Sequence, residues 1–331
     1  MKGYFTIHFL FFVIAFFCLG CSDEDNVPTH DIIVFGSQAN VGSSWRNGNF
    51  VPITDGAKNS DVLAGLAIGS DSHLVGYQIN SGIRVAKYWK NGSETTLSNG
   101  TKDEEAAAIA ISGNDVYIAG YERSNGKYSI KYWKNGNPVI LQNDMGFIFV
   151  TGIAIAGTDI YVTGIESKPD SVIGKYWKNG VAQKVDQSAK ISYAWGITTF
   201  ENDVYIVGSS YKNGVEVAKY WKNGIETVLT DGLSNAKATA ITVTKDELYI
   251  GGDKLGSPVY WKNGTYNSLN SLPNSVTEIN QIAVAHGDIY ISALVYGGVT
   301  GSVVWKNGVF QDPFTGTNSD IKIEGLFIIS K

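Results

Sequence analysis

At 331 residues and a formal charge of −5, the chain can hold one large β domain or two ordinary ones, and it is no polycation drawn to nucleic acid or anionic lipid. Charged residues make up 17%, Gly numbers 38 and Pro only 7, while Phe, Trp and Tyr together reach 12%. That mixture suits short strands and tight turns rather than helices or disorder.

Residues 1–20, MKGYFTIHFLFFVIAFFCLG, carry one cation at Lys2 and an apolar run from Phe9 to Phe17, then small or apolar residues before Cys21. The run is short for a membrane span and predicts a cleaved secretory signal. The ending CLGC resembles a bacterial lipobox, which implies cleavage after Gly20, acylation of Cys21 and attachment to a membrane through that lipid. A signal peptide without lipidation is the alternative. Cleavage would remove Cys18 and Lys2 and take the charge from −5 to −6. With Cys21 lipidated, no thiol remains for a nucleophile, a disulfide or a thiolate metal site. Residues 21–30, CSDEDNVPTH, lack apolar patterning and are expected to form a flexible tether. The Ser and acidic residues after Cys21 resemble the signal that sends lipoproteins to the outer surface of some Gram-negative bacteria, so an outer-membrane address, periplasmic or surface-exposed, is expected.

From residue 31 onward one unit recurs. KYWKNG stands at 87–92, 131–136, 175–180 and 219–224, and Trp followed by Lys or Arg, Asn and Gly occurs at Trp45, Trp89, Trp133, Trp177, Trp221, Trp261 and Trp305. The intervals are 44, 44, 44, 44, 40 and 44 residues, a period that marks a propeller or solenoid array. Residues 105–142 show one period: AAAIAIS (106–112), a tight SGND turn, VYIAGY (116–121), a loop, YSIKYW (128–133), a KNG turn and NPVILQ (137–142). Four antiparallel strands make one blade, and Asn-Gly is a strong two-residue hairpin signal because both residues tolerate positive φ. The Lys before it is expected to be solvated, and the seven Trp to be core rather than ligand-stacking sites. Along the first strands, large residues such as Ile109 and Ile111 alternate with small ones such as Ala108 and Ala110, so bulky and shallow faces can nest around the axis.

The chain ends bear on closure. DIIVFG (31–36) matches a second strand, so the first repeat lacks its first strand; GLFIIS (325–330) resembles AAIAIS (107–112) and would supply it. The expectation is an all-β fold, one seven-bladed β-propeller of four-stranded blades over residues 31–331, closed by pairing of the C-terminal first strand with the N-terminal blade and monomeric.

The unit A-x-x-I … VYIAG … KYWKNG … L, with endings such as WKNGSETTL (89–97) and WKNGIETVL (221–229), resembles the extracellular HAF-type repeat. The resemblance covers residues 31–331 and implies a secreted or surface propeller, with no catalytic residues to carry over. No Trp-Asp blade ending, Asp-box or kelch di-glycine recurs.

In such a blade the short SGND and KNG turns share one face of the ring. The other face carries the loops that differ between repeats, among them 54–62, 98–105, 143–149, 166–173, 186–195 and 294–301, and binding belongs where repeats differ. Trp195 is the one Trp outside the seven; Tyr193 lies two residues before it, and Phe147 and Phe149 hold comparable positions one blade earlier. These aromatics either stack on a sugar ring or apolar peptide side chain, or plug the axis. Asp61, Glu105 and Glu278, with Lys237, are expected at the same mouth, as are Asp103 and Glu104. Paired acids there could perform glycoside cleavage. His30 falls in the tether, His73 in a strand and His286 in a turn, so neither a triad nor a metal site assembles, and no cofactor motif is present. The reading is a non-catalytic envelope lipoprotein that binds a glycan or protein. A polysaccharide hydrolase or lyase, and a structural subunit of an envelope complex, are the alternatives.

Overall fold

A computed structural model describes residues 30–270, 275–297, 301–311 and 321–330; the signal, Cys21 and most of the tether lie outside them. Strand and turn account for the described residues, which fold into seven antiparallel sheets of four strands each. Blade 1 pairs Ile321–Ser330 with His30–Gln38, Val41–Arg46 and Asn49–Pro52. The inner strands of blades 2 to 7 are Ser60–Ile68, Asp103–Ser112, Phe147–Ala156, Ser192–Phe200, Ala236–Val243 and Ser275–Ala285. Each inner strand touches those of both neighbours, from blade 1 round to blade 7 and back, so the ring closes and its inner edges are protected. The closing strand pairs antiparallel with His30–Gln38, from His30 opposite Ser330 to Gln38 opposite Ile321.

Two details differ from the sequence expectation. His30 is the first residue of a strand, 7% exposed, with Nε2 at 2.8 Å from the Tyr290 hydroxyl. The closing strand also begins at Ile321, four residues before GLFIIS, and sits one residue out of the expected alignment: Leu326 faces Val34 as Ile109 faces Ile118. A glycine beside a β-bulge hides the correct register in that segment.

The repeated motif is a stitch between two turns. In KNG, Asn91, Asn135, Asn179 and Asn223 have φ of 48 to 51° and the following glycines 80 to 87°, the left-handed pair of a type I′ hairpin. Each Asn also clamps the neighbouring turn: Asn135 Oδ1 accepts from Val116 N at 2.9 Å and its Nδ2 donates to Asp115 at 2.7 Å. The same contacts recur at Asn91, Asn179, Asn223 and Asn307, so the two short turns share a face. The Lys entering the turn is not simply solvated. Lys90, Lys134, Lys178, Lys222, Lys262 and Lys306 each hold an acid of the adjacent turn or strand at 2.6 to 2.8 Å while staying 41 to 50% exposed. All seven repeated Trp are buried to 3% exposure or less. Each packs within or between blades, where it removes ~150–250 Å² from water.

Several expected loops are shorter than they read. The outer strand of blade 3, Asn137–Met145, runs nine residues where most outer strands have four, leaving only Gly146 before Phe147–Ala156. Strand pairing likewise absorbs most of 166–173.

Candidate functional site

The site is built by one backbone irregularity repeated seven times. In every blade the pairing of inner and second strand slips by one residue, leaving Leu63, Ala107, Thr151, Trp195, Thr239, Asn280 and Glu324 unpaired in β-bulges. A bulge bends the strand and re-aims side chains. All seven of these residues line one axial cavity of about 210 Å³, which continues below into a space of about 470 Å³ between the Ile-rich lower halves of the inner strands.

The second-strand glycine of the VYIAG motif exists for this bulge. A Cβ on Gly76, Gly120, Gly208 or Gly252 would lie 1.9 to 2.0 Å from the carbonyl oxygen of Asp61, Glu105, Tyr193 or Lys237. At Gly164 it would lie 2.5 Å from the Phe149 oxygen, and at Gly36 1.9 Å from that of Lys322. Only a residue without a side chain lets the bulged carbonyl approach so closely. The six carbonyls belong to residues at one address, two positions before the bulge on the same strand face. The seventh is Glu278, which pairs with Leu294 as Asp61 pairs with Tyr77. Round the axis the address reads Lys322, Asp61, Glu105, Phe149, Tyr193, Lys237, Glu278.

The structure therefore brings six of the eight sequence candidates to one ring of equivalent positions. Trp195 sits at the bulge beside them, and Phe147 two residues before Phe149. The ring divides into two arcs. On blades 4 and 5 the Tyr193 and Trp195 rings stack nearly parallel, 5.2 Å apart at 7°, and Phe147 meets Phe149 edge to face at 4.6 Å. The aromatic run continues from Phe147 to Tyr128 at 5.4 Å and from Tyr128 to Tyr121 at 5.3 Å. Phe147 and Phe149 are 44% and 52% exposed, so these rings do not merely fill core.

The remaining arc is charged, and each of its three cations is shared by two carboxylates. Arg84 donates to Glu105 at 2.5 Å and Asp103 at 3.3 Å. Lys237 reaches Glu278 at 2.9 Å and Asp253 at 3.6 Å, and its ammonium also lies 5.9 Å from the Trp195 ring centre. Lys322 pairs with Asp61 at 3.3 Å and with Glu324. Burial pushes the carboxyls of Glu105, Asp253 and Glu324 up against the pull of these cations, and Glu324, with Asp61 nearby, reaches about 7. Burial likewise raises Glu216, whose carboxylate accepts from Ser209 Oγ at 2.6 Å. Glu104 faces away from this group: it pairs with the buried Lys131, which also holds Glu122 at 3.0 Å.

Sequence reasoning missed Lys322 and Glu324 because the closing strand was begun too late. It missed Arg84 and Asp253 because both come from neighbouring strands. A signal for the first pair was present: 61, 105, 149, 193 and 237 are 44 apart, and Glu278 and Lys322 again differ by 44. Not every bulge residue faces a ligand space freely. Thr151 Oγ1 donates to Ala194 O at 2.7 Å, Thr239 Oγ1 to Ile279 O at 2.6 Å and Asn280 Nδ2 to Ile323 O at 2.7 Å, each latching its blade to the next.

No protein-family model matches the chain, and no curated protein matches it. Among solved structures it is similar to the extracellular domain of a putative hybrid two-component system from B. thetaiotaomicron, at 10% identity and a TM-score of 0.48, over 82% of this chain and 33% of that one. It is also similar to a prolyl endopeptidase, at 10% identity and a TM-score of 0.49, over 86% of this chain and 49% of that one. A third is the subtype N10 neuraminidase-like protein of A/little yellow-shouldered bat/Guatemala/060/2010, at 8% identity and a TM-score of 0.48, over 75% and 93% of the respective chains. The chain thus spans between a third and a half of the first two. Likeness at this level says nothing of activity.

Proposed function

We propose that the protein is an envelope lipoprotein, anchored through Cys21, whose HAF-type propeller binds a glycan without catalysis at the loop-face mouth of its axis. The observation that carries this is the aromatic arc of Phe147, Phe149, Tyr193 and Trp195, half of it exposed, beside a ring of hydrogen-bonding charged groups. Aromatic faces take the apolar face of a sugar while polar groups fix its hydroxyls. Beneath the arc, the cavity of about 210 Å³ is lined by Trp195 and Glu324 and opens into the further space of about 470 Å³, which together fall within the ~300–1,000 Å³ of small-molecule sites.

A glycan array probed with the full chain and with Phe149→Ala and Trp195→Ala tests the reading. A specific signal lost in both variants is expected; the absence of any glycan signal with wild-type protein would transfer the site to a protein partner. Metabolic labelling with a fatty acid, abolished by Cys21→Ala, tests the anchor. One observation favours hydrolysis instead: Glu324, near 7, and the buried Asp61 meet the same Lys322 ammonium, a close acid and carboxylate of the kind glycoside cleavage uses. Release of reducing ends from a bound polysaccharide, abolished by Glu324→Gln, would establish that second reading.

A further inference from the structure

We propose that the sugar recognised at this mouth carries a free amino group, its ammonium seated among the Asp61, Glu105 and Glu278 carboxylates and its ring face on Phe149 and Trp195. The inference rests on the glycan reading and specifies the charge of its ligand. Three observations lead to it.

The first is the charge count. Six carboxylates share three cations, so acids outnumber bases two to one round the mouth even with Glu324 partly protonated at neutral pH, and Glu216 adds another acid beside Lys237. A neutral ligand would leave that excess in place; an ammonium relieves it, and in a partly desolvated cleft the attraction is several-fold stronger than in water. An anionic sugar would add to it. The second concerns Asp61, which is 7% exposed: its Oδ2 accepts from Lys322 while its Oδ1 has no hydrogen-bond partner among the described residues. A buried carboxylate oxygen without a donor costs about 1–3 kcal/mol, which a donor brought by a ligand recovers. The third is the internal precedent. Lys237 already places its ammonium 5.9 Å from the Trp195 ring centre while bonded to Glu278, so aromatic face and carboxylate are spaced to hold one cation together.

A basic peptide side chain would satisfy the charge count but offers no flat ring for the stacked aromatics, and the sugar is the better fit. Calorimetric titration of the full chain at pH 7 compares a glucosamine pentamer, its fully N-acetylated counterpart and pentalysine. The expected result is at least tenfold tighter binding of the free amine than of the acetylated sugar. Asp61→Asn and Glu278→Gln together should erase that preference, and Phe149→Ala should weaken both sugars alike. Thermal unfolding of each variant reports whether it is folded. Equal or tighter binding of the acetylated pentamer would overturn the charge inference and leave the glycan reading standing. Binding of pentalysine with neither sugar would overturn both, and so would binding of none of the three.

Discussion

Replacing Glu324 by Gln tests the electrostatics of the mouth without touching the aromatic arc. The carboxyl is raised from an ordinary 4.5 to about 7, chiefly by burial, with the attraction of Lys322 already included. Because the folded state holds this proton more tightly than the unfolded chain, the acid is well accommodated at low pH, and stability falls as pH rises from 4.5 through 7. At 1.36 kcal/mol per unit, the shift corresponds to about 3 kcal/mol. The side chain is 19% exposed, so solvent screens little of it. Gln fills the same space and does not titrate. The two proteins should therefore melt together near pH 4, and Glu324→Gln should become the more stable by about 3 kcal/mol, roughly 6 °C in Tm, by pH 8. Asp253 and Glu216 are raised in the same direction but titrate in both proteins and drop out of the difference, whereas Glu105, whose charge helps raise Glu324, is part of what the difference measures. Thermal melts followed by circular dichroism at unit steps from pH 4 to 8 measure it. A gap that stays constant across that range would show that Glu324 ionises as an ordinary carboxylate and that its burial beneath the mouth does not perturb it.

Deleting residues 321–331 removes Ile321, Ile323, Leu326, Phe327 and Ile329, each 9% exposed or less, at about 1.5–3 kcal/mol apiece, an amount comparable with the whole stability of a domain. Loss of any cooperative thermal transition is expected, and a truncated chain melting like the intact one would contradict ring closure. Gly208→Ala places a Cβ 1.9 Å from the Tyr193 oxygen and should cost several kcal/mol and shift the Trp195 environment, whereas Gly146→Ala, with its nearest neighbour at 3.5 Å, should stay within about 0.5 kcal/mol. Denaturant melts and tryptophan fluorescence separate the two. Trp177 Nε1 donates to Gln142 at 2.9 Å, while Trp261 Nε1 has no partner among the described residues. Trp177→Phe should therefore be the more destabilising by about 1 kcal/mol in parallel urea titrations.

The ring itself was legible because its information is periodic and local. Trp at 44-residue spacing, Asn-Gly at both φ-positive turn positions and a missing first strand each follow from short-range rules, and together they require seven closed blades. The mouth was legible in outline because aromatic residues that break the repeat stand out against it: Trp195 where other blades carry Leu, Ala, Thr, Asn or Glu, and Phe149 beside Tyr193 where the rest carry acids or Lys. What escaped were relations between strands. Arg84 lies on a third strand of blade 2 yet bonds to Asp103 and Glu105 of blade 3, and no pattern along one chain segment announces that contact. The one-residue slip in the closing strand escaped for another reason. Alternation reads the same from either register when the segment is Gly-Leu-Phe-Ile-Ile-Ser, and only the bulge opposite Gly36 decides between them.

The bulge also explains how one repeat can be both monotonous and functional. Its glycine, its Trp and its Asn-Gly turn are demanded by backbone geometry in almost every blade, so they are poor places to encode a ligand. The address two residues before the bulge is different. Its backbone is pinned by the glycine opposite, while its side chain changes from acid to aromatic to base around the ring, as the bulge residue beside it changes from Leu63 to Trp195 to Glu324. Blade 7 shows that even the glycine can be relaxed: Ala293 faces Ile279 where the other blades have Gly, while Glu278 keeps its place and its bond to Lys237. A fold of this kind holds seven side chains at nearly fixed positions and leaves their chemistry open. If the proposed glycan reading holds, exchanging residues at that address together with the bulge residue Trp195 should change which sugar is taken, with the blades left as they are.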